Sequence, residues 1–447
     1  MVDRVLVPFE GEGAGVAELS WGQREIWSVM RSIGRPLYLG GVRQLPPGRT
    51  VSDVAGDLRF IMTRHQSMRT RLRFLEGGTP LQVVADYGEV PLEIVDAGDE
   101  DPAKVAAAVA DRYMAASFDY EAHWPVRMAV IIARGAATHV AEAFSHLAMD
   151  AFGLAVLHDD VAARYSCAGQ VSPVTATTPL EQAVKQRGQS ARRAHDAAMR
   201  YTERLLRDAP ATQFRESGDE RCPRVWQLTC TSPAGYRALR VLAAQAGVTT
   251  SPVLLAAFAV AVSELTGVRP AALHMVVNNR FRPGFAKSVS VVTQSCLCVI
   301  DPAGGFREVI TRAFHAAMGA YKNSYYDLDG KNELFARISA ERGTEIDLSC
   351  LFNDRRVSSR EGADAPGGAD PDGLREELCQ TALTWGERQD NQDGKLFLYV
   401  NDAPGTLCYE LWADTRYVSP AGMETLARRL ESALVDAATG EGQAIPG

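Results

Sequence analysis

Two neighbouring apolar runs, Val126–Ala133 and 139–144, flank a turn-forming Arg-Gly pair and predict a hairpin of buried strands. The second run leads directly into the sequence SHLAMDAFG, and an apolar stretch at 154–165 then predicts a buried helix. A strand, a short polar turn and a helix in succession predict that this part of the chain has mixed α and β structure. The side chains of the turn are thereby held on rigid elements, where chemistry is commonly placed.

The length of the chain, 447 residues, exceeds what a single hydrophobic core usually organises, so we expect two domains. A stretch rich in Ser, Thr and Pro at 166–179 separates two series of strand and helix patterns and is the best internal boundary. We therefore predict an α+β fold with an N-terminal domain at 1–175, which carries SHLAMDA, and a C-terminal domain at 176–447.

Several elements carry sequence signals of their own. A long helical stretch at 180–206 is rich in Arg and Lys and is interpreted as a solvated helix face. A run of β-formers at 288–300 predicts one strand. Helix end signals are Ser20 with Gln23 for a helix at 19–33, and Ser251, Pro252 and Gly267 for an apolar helix at 253–265.

Charge and composition exclude several classes of function. The net charge is −8, and no concentrated basic block stands outside the helix at 180–206, so nucleic acid is not expected as a partner. No run of 18 apolar residues predicts a membrane span, and the N-terminus does not resemble a secretion signal. The cysteines show neither a CxxC pair nor Cys/His ligand spacing, so no metal site is predicted. We expect a cytoplasmic monomer without a permanently bound cofactor.

His146 and Asp150 are the residues of the turn that can carry chemistry. A neutral imidazole accepts a proton from an attacking amine or hydroxyl because its ordinary pKa lies near neutrality. Four-residue spacing outside a helix does not by itself bring the two side chains together. Two interpretations therefore stand side by side: a catalytic base at His146, or a satisfied polar residue beneath a turn.

Six motifs, met in the same order, resemble those of the condensation domains of nonribosomal peptide synthetases. The resemblance extends along nearly the whole chain, which is then a free-standing, divergent member of that family. The matching segments are LSWGQREIW (19–27), RHQSMRTRL (64–72), SHLAMDA (145–151) in place of HHxxxDG, VVNNR (276–280), SVVTQ (290–294) and the closing ELWADTRYVSPAGMETLARRLESAL (410–434).

The resemblance implies two chloramphenicol-acetyltransferase-like lobes arranged as a V with a tunnel at their junction. Acyl groups then arrive as thioesters on the phosphopantetheine arm of an acyl or peptidyl carrier protein. His146 matches the histidine that orients or deprotonates the acceptor, and Asp150 matches the aspartate that pairs structurally with the arginine at Arg280. The residues expected to border the substrate are Ala151, Phe152, Gly153, Asn278, Asn279, Gln294 and Ser295.

Departures from the family motif keep several functions open. Ser145 stands where the family has its first histidine, so the support of the turn must differ. Ala151 stands where the family has glycine, and its methyl group should crowd the substrate or force a different backbone. The first hypothesis is an acyltransferase of natural-product (secondary metabolite or antibiotic) biosynthesis that forms an amide or ester with an amine or alcohol acceptor. The second is a non-catalytic module that recruits a carrier protein or a tailoring enzyme. The third is a coenzyme-A-dependent acyltransferase, since HxxxD is shared across the superfamily.

Overall fold

The computed structural model describes residues 2–166, 172–356 and 371–440. Contacts divide the chain into two compact units. The first comprises Met1–Arg192 together with Asn278–Thr293, and the second comprises Arg193–Val277 together with Gln294–Gly447. Each contains both helices and sheet, which agrees with the predicted α+β class. The division at residue 175 stays a prediction, and nothing in the sequence indicated that Asn278–Thr293 packs within the first unit.

The strands of the first unit form two sheets. The larger has five strands in the order β1-β6-β7-β8-β3, and the smaller has three in the order β2-β5-β4. Strands β7 and β8 pair antiparallel, which confirms the predicted hairpin. The strands are β1 (Val2–Glu10), β2 (Gly15–Glu18), β3 (Tyr38–Gln44), β4 (Thr70–Phe74), β5 (Pro80–Val84), β6 (Tyr87–Asp96), β7 (Val126–Ala133) and β8 (Ala136–Ser145).

The helices of this part of the chain confirm one predicted cap and correct one predicted helix. The Ser20 hydroxyl accepts the amide of Gln23, whose side chain accepts the Ser20 amide, so the predicted capping box is present. The helices are α1 (Trp21–Ile33), α2 (Val51–Arg64), α3 (Pro102–Ala115), α4 (Ala151–Ser166), α5 (Pro179–Gln186) and α6 (Gln189–Asp208), with a 3-10 turn at Gln66–Arg69.

The single helix predicted at 180–206 is wrong, because the chain breaks between α5 and α6. The Gly188 amide donates to Lys185 O at 3.0 Å, a tightened turn that ends the α-helical pattern. A Cβ atom at Gly188 would stand 3.0 Å from that same carbonyl oxygen, so the turn suits glycine. Charge pattern alone did not reveal this break.

Both faces of the five-stranded sheet are covered where β8 approaches its end. Val140 and Phe144 pack on one face with residues of α2 and α4, including Leu58. Ala141 and Ala143 pack on the opposite face with residues of α3. A strand buried on both faces is held rigidly, so the turn that follows β8 starts from a fixed point.

The second unit is built on one seven-stranded sheet in the order β11-β10-β12-β14-β15-β9-β13. Its strands are β9 (Val225–Ser232), β10 (Ala271–Val277), β11 (Gln294–Ile300), β12 (Cys350–Asp354), β13 (Ala382–Gln389), β14 (Leu396–Asn401) and β15 (Leu407–Asp414). Its further helices are α7 (Pro233–Ala246), α8 (Thr250–Thr266), α9 (Phe306–Asn323), α10 (Leu328–Arg342), α11 (Pro371–Leu378) and α12 (Pro420–Thr439).

Two predicted boundaries in the second half of the sequence are wrong. Helix α8 begins at Thr250 after Thr249 rather than after Ser251, and the proline falls in the first turn, where its missing N–H costs nothing. Its predicted end at Gly267 is confirmed, in a left-handed conformation. The strand predicted at 288–300 begins only at Gln294. Residues 288–293 instead belong to the first unit.

Within the described residues, no single helix is long and apolar enough to cross a membrane. Only the consecutive pair α7 and α8 meets the length and composition required, and that pair is bent by 112°.

Candidate functional site

The turn that carries His146 is tied down at both of its ends. The His146 amide donates to Leu37 O at 2.9 Å, and the Ala148 amide donates to Ser145 O at 2.9 Å. The Ser145 hydroxyl oxygen also accepts the Leu147 amide at 3.3 Å. Ser145, which stands at the family's first histidine position, is therefore a buried brace of the turn.

One hydrogen bond determines which nitrogen of His146 carries the proton. Its Nδ1 lies 3.0 Å from Met149 O. A carbonyl oxygen only accepts hydrogen bonds, so Nδ1 must be the donor, and in the neutral imidazole the lone pair then lies on Nε2. This is the tautomer that a general base requires when Nε2 receives the proton.

The carboxylate of Asp150 is buried and bonded on both oxygens. Its Oδ1 accepts the Gly153 amide at 2.9 Å and therefore caps α4, which explains why that helix starts at Ala151 rather than at the predicted residue 154. Arg280 forms an ion pair with it: Nη1 donates to Oδ2 at 2.9 Å, and Nη2, which donates to Ser288 O, lies 2.7 Å from Oδ1. Oδ2 also accepts the Val292 amide, the Thr293 amide and the Thr293 hydroxyl, at 3.1, 3.2 and 2.8 Å.

These contacts keep Asp150 ionised and give it a structural role. Burial by itself opposes ionisation, but the charge of Arg280 and the hydrogen bonds from Arg280, Gly153 and Thr293 together lower the pKa of Asp150 below its ordinary value of 3.8. A carboxylate with a lowered pKa that accepts five hydrogen bonds is a poor proton acceptor. Of the two motif residues, His146 is therefore the one whose side chain is suited to accept a proton.

The lowered pKa predicts an acid-dependent contribution of Asp150 to stability. Because the folded pKa lies below the unfolded one, the contribution is complete above about pH 4 and is lost as the pH falls through the folded pKa. The difference in unfolding free energy between the wild type and Asp150→Asn should therefore shrink as the pH is lowered below 3.8. Urea unfolding at a series of pH values measures it, and a difference that stays constant or grows would contradict the role given to the Asp150 charge.

The segment at 278–293 is shaped by two asparagines. Asn279 is buried and has a left-handed backbone with φ of 53°. Its Nδ2 donates to Val292 O at 3.0 Å, and its Oδ1 accepts Arg282 Nε at 2.9 Å. The Asn278 side-chain oxygen accepts the Arg280 amide at 3.1 Å. The side chains of both asparagines thus stabilise the backbone conformation that places Arg280 and Val292 next to Asp150.

Paired substitutions at Asn279 separate the side-chain bonds from the backbone conformation. Asn279→Gly should cost about 1–2 kcal/mol of unfolding free energy, because two hydrogen bonds are lost while glycine accepts the left-handed backbone. Asn279→Ala should cost about 1–2 kcal/mol more, because alanine also resists that conformation. Equal losses for the two variants, measured by urea unfolding, would show that the backbone conformation is not under strain.

The remaining predicted site residues lie in three places. Ala151 and Phe152 open α4, with Ala151 exposed and without a positive φ, so its methyl group does not force an unusual backbone. Gly153 is buried against the ion pair of Asp150 and Arg280, since a Cβ atom at Gly153 would stand 3.3 Å from Arg280 Nη2. Gln294 and Ser295 begin β11 in the second unit, where Gln294 Nε2 donates to Tyr326 O at 3.0 Å and Ser295 O accepts the Tyr326 hydroxyl at 2.6 Å.

Sequence reasoning missed the groups that complete this site. Thr293 binds Asp150 through both its amide and its hydroxyl. Gln182 Nε2 donates to the Ser290 hydroxyl oxygen at 2.5 Å, and Gln23 Nε2 donates to Leu147 O at 3.2 Å beneath the turn. Thr293 and Gln23 both belong to matched motifs, SVVTQ and LSWGQREIW, so the motifs were a usable signal. Among the described residues, no group of three or more His, Cys, Asp or Glu is placed to hold a metal ion.

The chain is similar in sequence or in fold to several known proteins over most of its length. Nonribosomal peptide synthetase kk1B of Curvularia clavata is 24% identical over a 350-residue alignment that covers 74% of this chain but only 3% of that synthetase. The structure that describes condensation domain-mediated chain release from the enacyloxin polyketide synthase matches with a TM-score of 0.73 at 20% identity, over 98% of this chain and 86% of that one. The complex of the X-domain and OxyB from teicoplanin biosynthesis matches with a TM-score of 0.70 at 16% identity, over 97% and 96%.

These matches confirm the chloramphenicol-acetyltransferase-like α+β fold, whereas the V-shaped arrangement and the tunnel stay predictions. The condensation-domain model covers residues 45–346, which include the turn of His146, Asp150 and their partner Arg280. With motifs, fold and family model in agreement, the chain belongs to the condensation domain family.

Proposed function

We propose that this chain joins an acyl or aminoacyl group, held as a thioester on a carrier protein, to an amine or alcohol acceptor in natural-product biosynthesis. Condensation domains generally form amide or ester bonds, which is the support at the level of the family. The observation that carries the proposal is the Nδ1–H bond from His146 to Met149 O, because it directs the lone pair of the neutral ring to Nε2.

The proposed step needs one proton acceptor and no resident cofactor. As the acceptor nitrogen or oxygen attacks the thioester carbonyl, its proton passes to His146 Nε2 and a tetrahedral intermediate forms. The carbon–sulfur bond then breaks, and the imidazolium returns the proton to the departing thiolate of the carrier's phosphopantetheine arm. The product is an amide or ester and a free carrier thiol, so protons and electrons balance.

A second candidate, recruitment without catalysis, is favoured by the departures at Ser145 and Ala151. Some relatives, the X-domain among them, are not catalytic, and the X-domain has been seen in complex with OxyB. Retention of a histidine in the base tautomer at position 146 is the reason for ranking catalysis first.

Product formation separates the proposed function from its competitors. Purified chain is given acyl-loaded carrier protein and a panel of amines and alcohols, and both the product and the freed carrier thiol are followed by mass spectrometry. Carrier-dependent product supports condensation. Equal turnover with acyl-coenzyme A and no carrier would make it a coenzyme-A-dependent acyltransferase, and capture of the carrier or of a tailoring enzyme without any turnover would support recruitment.

A further inference from the structure

A small cavity lies within the first unit, beside the turn that carries His146. Its walls come from the 3-10 turn Gln66–Arg69, strand β4, the segment at 118–125 and the end of β8. The cavity has a volume of about 20 Å³ and is partly open to solvent. That is room for a ligand of a few heavy atoms, well below the size of an acyl chain.

The cavity is lined by polar groups that have no partner among the described residues. Ser67 is 1% exposed, yet its hydroxyl makes no hydrogen bond to another described residue. The same is true, within the described ranges, of the Tyr120 hydroxyl and of Arg71 Nε, which are also buried atoms of lining residues. A buried polar group without a partner costs about 1–3 kcal/mol, so three of them around one cavity indicate an occupant that bonds to all of them.

The lining offers hydrogen-bond donors and a positive charge. The Arg71 guanidinium stacks 3.5 Å from the centre of the Trp124 ring, and within the described parts of the chain no carboxylate forms an ion pair with it. No Asp or Glu contributes to the walls. His123 Nδ1 accepts the Asp119 amide at 3.2 Å, so its Nε2 carries the proton and is a further donor.

We propose that this cavity is a binding site for a small anion, best filled by a carboxylate of one or two carbons. The anion would accept a charge-assisted hydrogen bond from Arg71 and hydrogen bonds from Ser67 and Tyr120. It would thereby satisfy all three donors and neutralise the charge of the guanidinium. Water can also satisfy the hydroxyls, but only an anion adds a counter-charge to the guanidinium. Ser145 lines the same cavity, so its small side chain leaves the space that the anion occupies.

The site is tested on the full chain with two probes, sodium bromide in crystals and sodium acetate in solution. Bromide should give an anomalous peak within hydrogen-bonding distance of Arg71 Nε and Ser67 Oγ. Acetate should raise the melting temperature with saturation. Its apparent affinity should fall about tenfold or more in Arg71→Gln, because one charge-assisted contact is lost, and should be unchanged in Arg73→Gln, an exposed arginine two residues along the same strand.

A second variant guards against failure of Arg71→Gln to fold. Ser145→His places a larger side chain in the cavity and should abolish the acetate response and the bromide peak while the unliganded protein still melts cooperatively. An absent bromide peak with ordered water alone in the cavity would overturn the proposal. So would an acetate response that is the same in wild type, Arg71→Gln and Ser145→His, since the anion would then bind elsewhere.

Discussion

Replacement of His146 by alanine should lower kcat/KM for carrier-dependent condensation by about 10²–10⁴, the usual loss when a positioned general base is removed. The loss should fall mainly on kcat, because the base acts on a proton that moves in the transition state. Circular dichroism and thermal melting should remain near those of the wild type, since the turn is held by its backbone amides and by Ser145.

A matched variant makes this result specific. His315 is an exposed histidine on α9, and His315→Ala should leave kcat/KM unchanged. If His146→Ala retained full turnover, the base would have to be another group. If both histidine variants lost activity equally, the effect would belong to folding or assembly rather than to proton transfer.

Removal of Arg280 should produce a large loss of stability. Arg280→Ala leaves the buried Asp150 carboxylate without its counter-charge, and breaking such a pair typically costs about 3–5 kcal/mol. Arg280→Lys should recover only part of this, because one ammonium group does not reproduce the contacts of the guanidinium with both carboxylate oxygens and with Ser288 O. Urea unfolding of the full chain measures both variants.

Two comparisons identify the cause of that loss. Arg73→Ala removes an exposed arginine from the same unit and should change the unfolding free energy by no more than about 0.5 kcal/mol. The double variant Arg280→Ala with Asp150→Asn should be more stable than Arg280→Ala alone, because no charge is left buried. A double variant that is less stable by the sum of both single losses would contradict the pairing account.

Local signals predicted elements correctly where their cause is also local. The capping box of α1 needs only Ser20 and Gln23, and the end of α8 needs only Gly267. Helix α4 starts three residues before the predicted residue 154, because Asp150 Oδ1 accepts the Gly153 amide and caps the helix in addition to pairing with Arg280. The Asp150 carboxylate therefore both caps α4 and pairs with Arg280.

Contacts between distant parts of the chain account for what the sequence could not predict. Residues 288–293 have the composition of a strand, yet Val292 and Thr293 give their amides to Asp150, 142 and 143 residues away. The tautomer of His146 depends on where Met149 O points, which no spacing rule states. Likewise, Ser67, Arg71 and Tyr120, whose donors have no partner among the described residues, share a cavity only because the 3-10 turn, β4 and the segment before β7 meet beside β8.

Nitrogen-15 NMR of the neutral His146 ring tests most directly whether this side chain is built as a proton acceptor. The ring signals are assigned by their absence from His146→Ala, in protein labelled only at histidine. The structure predicts a protonated Nδ1 and an unprotonated Nε2 at a pH where the ring is neutral, as the bond to Met149 O requires. A ring protonated at Nε2 would contradict the assignment of His146 as the base.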